Sequence, residues 1–254
     1  MPVYEIVFSP TGGTQKVSEA FTESFCSESI RVDLTDCTLD FSRFSFQEED
    51  ICIVSVPSYG GRVPATAVSR LQSMKGNRAR AILVAVYGNR AYEDTLAELQ
   101  DTLQNASFFP VAAVAAIAEH SILRPFAEGR PNAQDKKELA EFAVKIRSEI
   151  EAGKVSERLR VPGNRPYRAY RGVPMKPRTG KSCIRCGLCA EKCPVHAIPA
   201  GQPSHTNTAV CISCMRCISI CPKKARKIPK LLLTAGSAKL KKACREAKKN
   251  ECFL

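Results

Sequence analysis

Residues 3–16 read Val3-Tyr4-Glu5-Ile6-Val7-Phe8-Ser9-Pro10-Thr11-Gly12-Gly13-Thr14-Gln15-Lys16. The apolar run Val3–Phe8 has strand character and ends in a loop of hydroxyls and glycines. A helical pattern begins at once: over Thr14–Phe25, the side chains of Val17, Ala20, Phe21, Ser24 and Phe25 fall on one stripe. The hydroxyls of Ser9, Thr11 and Thr14, the N–H groups of Gly12 and Gly13, and the orphan donors of a helix N-terminus make a cradle for an anion. In an α/β sheet, such a loop lies at the carboxyl end of its strand, where phosphate groups bind. The loop lacks the G-x-G-x-x-G spacing of dinucleotide sites. It is not a Walker loop, and neither is the later Gly180-Lys181-Ser182, because Met175 stands where that motif needs glycine.

Four more apolar runs follow: Ile30–Leu34, Ile51–Val56, Ala81–Tyr87 and Pro110–Ala118. The later ones are continuous rather than alternating, as parallel strands covered on both faces require. Helical patterns occupy Ala65–Met74, Tyr92–Gln104 and Asn132–Ala152, whereas the crossover Asp36–Glu49 has weak helical character. This alternation predicts an α/β domain over residues 1–153, with a doubly wound, five-stranded parallel sheet.

The rest of the 254-residue chain differs in kind. The chain carries 13 cysteines and a net charge of +13; residues 1–153 stand at −6 and residues 154–254 at +19, and all but Cys26, Cys37 and Cys52 of the cysteines lie in the second part. A 44% hydrophobic content excludes a wholly disordered chain. No apolar run approaches the ~18 residues of a membrane span, and no leader pattern opens the sequence, so a cytoplasmic protein is expected. In that compartment, clustered cysteines read as metal ligands rather than disulfides. Residues 154–181 hold Pro162, Pro166, Pro174 and Pro177 among six arginines, Arg158, Arg160, Arg165, Arg168, Arg171 and Arg178. The prolines forbid a long helix, and the length argues for a linker that wraps a domain. Residues 229–254 are expected to form a basic tail helix over about Ser237–Phe253, with Leu240, Ala243, Cys244 and Ala247 on its apolar stripe.

Between linker and tail, residues 182–228 contain Cys183-x2-Cys186-x2-Cys189-x3-Cys193-Pro194 and its repeat Cys211-x2-Cys214-x2-Cys217-x3-Cys221-Pro222. Zinc sites use separated CxxC pairs and leave both the third cysteine and the duplication unexplained. Two such runs suit two [4Fe–4S] clusters, with the fourth cysteine of each run ligating the other cluster. One cluster then takes Cys183, Cys186, Cys189 and Cys221, and the other takes Cys211, Cys214, Cys217 and Cys193. Over about residues 180–228 the chain resembles the bacterial two-cluster ferredoxins, which implies low-potential, one-electron transfer.

Ser9-x-Thr11-Gly12-x-Thr14 at the end of a first strand resembles the FMN phosphate loop of flavodoxins. Two segments extend that resemblance: Pro57-Ser58-Tyr59-Gly60-Gly61-Arg62-Val63-Pro64 after the third strand and Gly88-Asn89-Arg90-Ala91-Tyr92 after the fourth. In flavodoxin-like folds, these loops hold the isoalloxazine ring. The resemblance implies that Tyr59 and Tyr92 stack on the ring, that Gly60, Gly61 and Gly88 let backbone approach its edge, and that Ser58, Asn89 and Arg90 bond its polar rim. Glu119-His120-Ser121, after the fifth strand, is a third candidate beside the same edge.

The chain thus looks like a flavodoxin-like domain fused to a two-cluster ferredoxin. The expected function is relay of electrons between two [4Fe–4S] clusters and FMN, to or from a redox partner protein. The basic excess favours an acidic partner through steering. The second reading is a flavin-dependent reductase of a small quinone- or nitro-type electrophile. Nucleic acid is not an expected partner, because the tail carries lysines without interleaved aromatics for base stacking.

Overall fold

The computed structural model describes residues 1–156 and 158–254. Five parallel strands, β1 (Val3–Val7), β2 (Ile30–Asp33), β3 (Ile51–Pro57), β4 (Arg80–Tyr87) and β5 (Phe109–Ile117), lie in the order β2-β1-β3-β4-β5. This is the flavodoxin-like strand order. Its reversal between β1 and β3 opens a crevice at the carboxyl ends of the strands. Helices α2 (Ala65–Gln72) and α3 (Thr95–Asn105) cover one face, and α1 (Gly13–Phe25) and α4 (Ala133–Glu151) the other. β3 shows why its run is continuously apolar: Cys52, Val54 and Val56 pack toward α2 and α3, while Ile51 and Ile53 pack toward α1 and α4. The crossover over residues 36–49 is an irregular segment with one tight turn at Phe41–Arg43, where the Asp40 carboxylate accepts the Ser42 N–H. It holds its place by burying Phe41 and Phe46 rather than by helical pairing.

The tail departs from its predicted helix. Helix α7 runs only over Lys230–Leu240 and buries none of its residues. The chain then turns and ends in a strand, β8 (Glu251–Phe253), paired antiparallel to β5 as a sixth strand of the sheet. The apolar stripe of the tail is too thin to bury a long helix. Pairing instead covers the open edge of β5, which would otherwise expose unpaired backbone groups. Among the described residues, no helix is long and apolar enough to cross a membrane.

The Arg/Pro-rich segment wraps back over α3. Leu159 enters the core of that face, and its carbonyl accepts from the Gln100 amide at 2.7 Å. Arg165 pairs with Asp101 at 2.6 Å, and the Asn164 and Arg168 N–H groups donate to Asp94 at 2.8 and 2.7 Å. Burial alone would raise the Asp94 carboxyl, but those N–H groups hold it below the ordinary carboxylate range. Arg165 thus meets the acidic face of α3, and the Arg168 side chain pairs with Glu93 just before the helix.

The cysteine-rich segment is a pseudo-symmetric pair. Helices α5 (Leu188–Glu191) and α6 (Arg216–Ser219) follow left-handed residues at equivalent positions, Gly187 (φ 78°) and Met215 (φ 63°). Arg185 and Ser213 (φ 56° and 55°) match in the same way, as do His196 and Lys224 (φ 51° and 47°). Strands β6 (Arg178–Thr179) and β7 (Arg226–Lys227) pair beside them.

Candidate redox site

Gly12 adopts φ 88° at the start of α1, a left-handed conformation that suits glycine. The Ser9 hydroxyl accepts the Gln15 N–H at 2.9 Å, which folds the loop over the helix end. The space beside Gly12 is open. With Gln15 taken by Ser9, the N–H groups of Gly13 and Thr14 are the first-turn donors that remain for an anion. The cleft at this edge is lined by Thr11, Gly13 and Thr14 from the first loop, Ser58 and Tyr59 from the second, Gly88 from the third, and His120 from the fourth. The topology therefore gathers all four candidate loops at one place. On the phosphate side, the residues fit an FMN.

The ring side differs from expectation at five positions. Asn89 is buried and satisfied by the tail: its amide donates to the carbonyls of Cys244 and Glu246, both at 3.0 Å, and accepts the Lys248 N–H at 2.8 Å. Arg90 is paired with Glu93 at 2.6 Å. Tyr92 packs edge-on against Tyr87, ring centroids 5.2 Å apart, and its hydroxyl donates to Glu251 at 3.2 Å. Asn89 and Tyr92 hold the C-terminal segment, and Arg90 is held by Glu93. Gly60 and Gly61 (φ 61° and 87°) form the tight turn between Tyr59 and Arg62, whose backbones bond each other. The linker fills the space above them: the Tyr170 ring lies on Gly60, while Glu93 and Arg168 crowd Gly61. The groups left for a ring are Ser58, Tyr59, Gly88 and His120. Ser58 is fixed by the Thr95 hydroxyl at 2.7 Å, and Gly88 is a close-approach glycine because a Cβ there would strike His120.

His120 Nδ1 accepts the N–H groups of Ile122 and Leu123, both at 3.2 Å, so Nε2 carries the proton in the neutral ring. Burial, aided by the nearby Arg90 charge, pushes the imidazole down to about 4. The unfolded chain binds this proton near pH 6.5, whereas the folded one does so only near 4, so stability falls as the pH drops through that window. The stability gap between wild type and His120→Gln is expected to shift against wild type by up to about 3 kcal/mol between pH 7 and pH 4. Chemical denaturation at both pH values measures it, and a pH-independent gap would show the ring to be free to protonate in the fold.

The cysteines separate into two sets. Cys183, Cys186, Cys189 and Cys221 line one cavity, the last contributed by the second repeat. Cys193 and Cys211 lie within electrostatic reach of Cys214, which in turn neighbours Cys217. The sulfurs surround space rather than a point: among the described residues, no three His, Cys, Asp or Glu side chains are set to hold a single metal ion. The fourth cysteines share a further device. Ala197 N–H donates to Cys193 Sγ at 3.2 Å, and Ala225 N–H donates to Cys221 Sγ at 3.3 Å, four residues on in each repeat. Burial alone would raise the Cys221 thiol, but the N–H groups of Ala225, Lys223 and Arg226 hold it below the ordinary thiol range. Burial pushes Cys214 and Cys217 up to about 12, so incoming iron must displace their protons.

The two sets face different surroundings. Cys186 is exposed to solvent. The other set is turned to the sheet. Cys211 and Cys214 neighbour Tyr59, and the α6 residues Ile218 and Ser219, with Met215 before them, share a cleft with Thr11, Gly13 and Lys16 of the phosphate loop. The Ser219 hydroxyl reaches the Pro10 carbonyl at 3.4 Å. Arg70 ties the module down, donating to the Pro194 carbonyl at 2.7 Å and also to that of Leu34. Sequence reading had no hold on Met215 and Ile218 as walls of the phosphate-loop cleft, nor on Tyr170 over the second loop, because chain distance hides both contacts.

Comparisons with known proteins give matches to two parts of the chain. Residues 176–249 match the family described as "4Fe-4S dicluster domain". YccM of Escherichia coli (strain K12), itself only provisionally assigned to electron transport, is 41% identical over 63 residues, which is 22% of this chain and 17% of that protein. The chain therefore spans well under a fifth of the curated relative it matches. Solved structures similar to the N-terminal part include a flavodoxin of Streptococcus pneumoniae TIGR4 (18% identity, TM-score 0.42, covering 58% of this chain and 99% of the flavodoxin). Flavodoxin 1 of Bacillus cereus is 14% identical with a TM-score of 0.41, over 57% of this chain and 97% of its own. The azoreductase AzrA is 12% identical with a TM-score of 0.41, over 59% of this chain and the whole of its own. The chain thus joins a flavodoxin-like α/β fold to a segment that carries two [4Fe–4S] clusters, and electron transfer is the chemistry such a segment supplies.

Proposed function

We propose that the chain is a three-centre electron relay, in which single electrons pass between a partner protein, the outer cluster (Cys183, Cys186, Cys189, Cys221), the inner cluster (Cys193, Cys211, Cys214, Cys217) and an FMN in the cleft above α1. The observation that carries this reading is the seating of the inner set. Its second repeat packs on Tyr59 and on the phosphate loop, so inner cluster and flavin would share a wall, while Cys186 leaves the outer cluster open to a partner. The FMN phosphate would rest on Ser9, Thr11, Gly12, Gly13 and Thr14, and the ring would lie among Ser58, Tyr59, Gly88 and His120. When bound, the flavin exchanges one or two electrons; the protein supplies position and electrostatics. Arg185, Lys223 and Lys224 surround the outer set or stand next to it in the chain and favour an acidic partner.

Protein purified without oxygen is expected to hold about eight irons, as many sulfides, and one FMN per chain. Iron, sulfide and released flavin, counted on one sample, test this. Eight irons with no flavin, and none retained after incubation with FMN, would remove the flavin from the relay. A flavin without iron would remove the clusters.

A further inference from the structure

Among the described residues, Arg226 heads the largest fully buried side chains, at 2% exposure. Its Nε donates to Cys189 Sγ at 3.2 Å and its Nη1 to the Thr206 hydroxyl at 2.7 Å. Its Nη2 donates to the carbonyls of Pro203 and His205. Every oxygen partner is neutral. A guanidinium taken out of water needs a counter-charge, and here cluster sulfurs can supply it: Cys189 by a direct bond and Cys221 close by, both of the outer set, with Cys217 of the inner set within reach of the charge but not bonded to it.

The duplication makes this position informative. Arg226 stands five residues after Cys221, and the residue five after Cys193 is Ile198, also buried at 4% exposure. The repeats agree in their left-handed residues, their short helices and their Ala N–H to Cys Sγ bonds. They differ here by a full positive charge. N–H bonds to ligand sulfur and nearby positive charge both favour the reduced cluster, which carries one more negative charge than the oxidised one.

We propose that Arg226 makes the two clusters unequal, holding the outer one at the higher reduction potential, so that a single electron taken up by the pair rests on the cluster nearest the partner. The inference depends on both clusters being present. The couple is one electron in, supplied by an external reductant, with no proton gained or lost by Arg226, which stays a guanidinium throughout.

The test is an anaerobic titration of the full-length holoprotein with dithionite and mediators, followed by the electron-spin signals of the reduced clusters. Arg226→Met and Arg226→Lys are compared with wild type, and a Cys211→Ala background, which keeps only the outer cluster, assigns the couples. Arg226→Met is expected to lower the outer couple by tenfold or more in the reduced-to-oxidised ratio at fixed poise, which is about 59 mV for one electron. The inner couple, whose Cys217 feels the Arg226 charge without a hydrogen bond from its side chain, should move less. Arg226→Lys, which keeps the charge but loses the planar fork, should fall between. If Arg226→Met does not assemble eight irons, Arg226→Lys carries the test and must shift the outer couple at least threefold. Unchanged potentials, or equal shifts of both couples, overturn the proposal. A wild-type protein without iron overturns the relay itself and is recognised before any titration.

Discussion

Replacing Cys183 and Cys221 together by alanine is expected to leave about four irons per chain, whereas replacing Cys183 and Cys193 together is expected to leave almost none. The contrast follows from crossed ligation. Cys221 lines the same cavity as Cys183, Cys186 and Cys189, so the first pair of substitutions damages one cluster and spares the other. Cys193 lies by Cys214, so the second pair removes one ligand from each. Ligation within each repeat predicts the reverse result for the same two proteins, so iron and sulfide analysis decides between them. Alanine is preferred to serine because an oxygen could replace the lost ligand. The effect should extend to folding. The segment has little regular structure, with α5 and α6 only four residues each and a two-stranded ladder of two residues, and metal binding there supplies folding free energy. The variant that retains no cluster should therefore lose protection over residues 182–228 in hydrogen exchange, while β1, β3 and β4 stay protected.

What was legible in the sequence follows a physical rule. β3, β4 and β5 are buried on both faces, so they appear as uninterrupted apolar runs, and α1 and α4 show their stripes because each covers one face of a sheet. The phosphate loop was legible because its chemistry is local: glycine at φ 88° and a hydroxyl bonding the next turn depend on residues within a few positions. The roles of Asn89 and Tyr92 were not legible. Their place after β4 was, but whether they meet a ring or a peptide depends on Cys244–Glu251, more than 150 residues later. β8 is three residues long and shows no periodicity, so only the open edge of β5 predicts that something must pair there. Arg226 lies between these cases. Composition hides it among 38 basic residues, yet aligning the two cysteine repeats sets it against Ile198.

The C-terminal segment should carry a large share of the stability of the sheet, and Asn250 is where to measure it. Its side chain is buried at 8% exposure; its carbonyl accepts the Ile117 N–H at 3.0 Å, and its amide donates to Asp135 at 3.0 Å and to Glu138 at 2.8 Å. It therefore joins the end of β5 to the first turn of α4, where Asp135 already completes the capping box with Asn132 and pairs with Arg130. Asn250→Ala leaves a buried N–H and one carboxylate site without partners, a loss of about 2–4 kcal/mol. For a chain of this size, that lowers Tm by roughly 5–15 °C. Asn250→Asp should be worse at pH 7 although it is nearly isosteric, because its carboxylate would face Asp135 and Glu138, and the single bond from Ile117 cannot offset two like charges in a buried site. Acidification should narrow the difference between the two variants, since protonating the new carboxyl restores a donor toward Asp135. If both variants melt within a degree or two of wild type, the strand Glu251–Phe253 does not close the sheet, and Asn89 and Tyr92 are then free for the flavin role that their position after β4 first suggested.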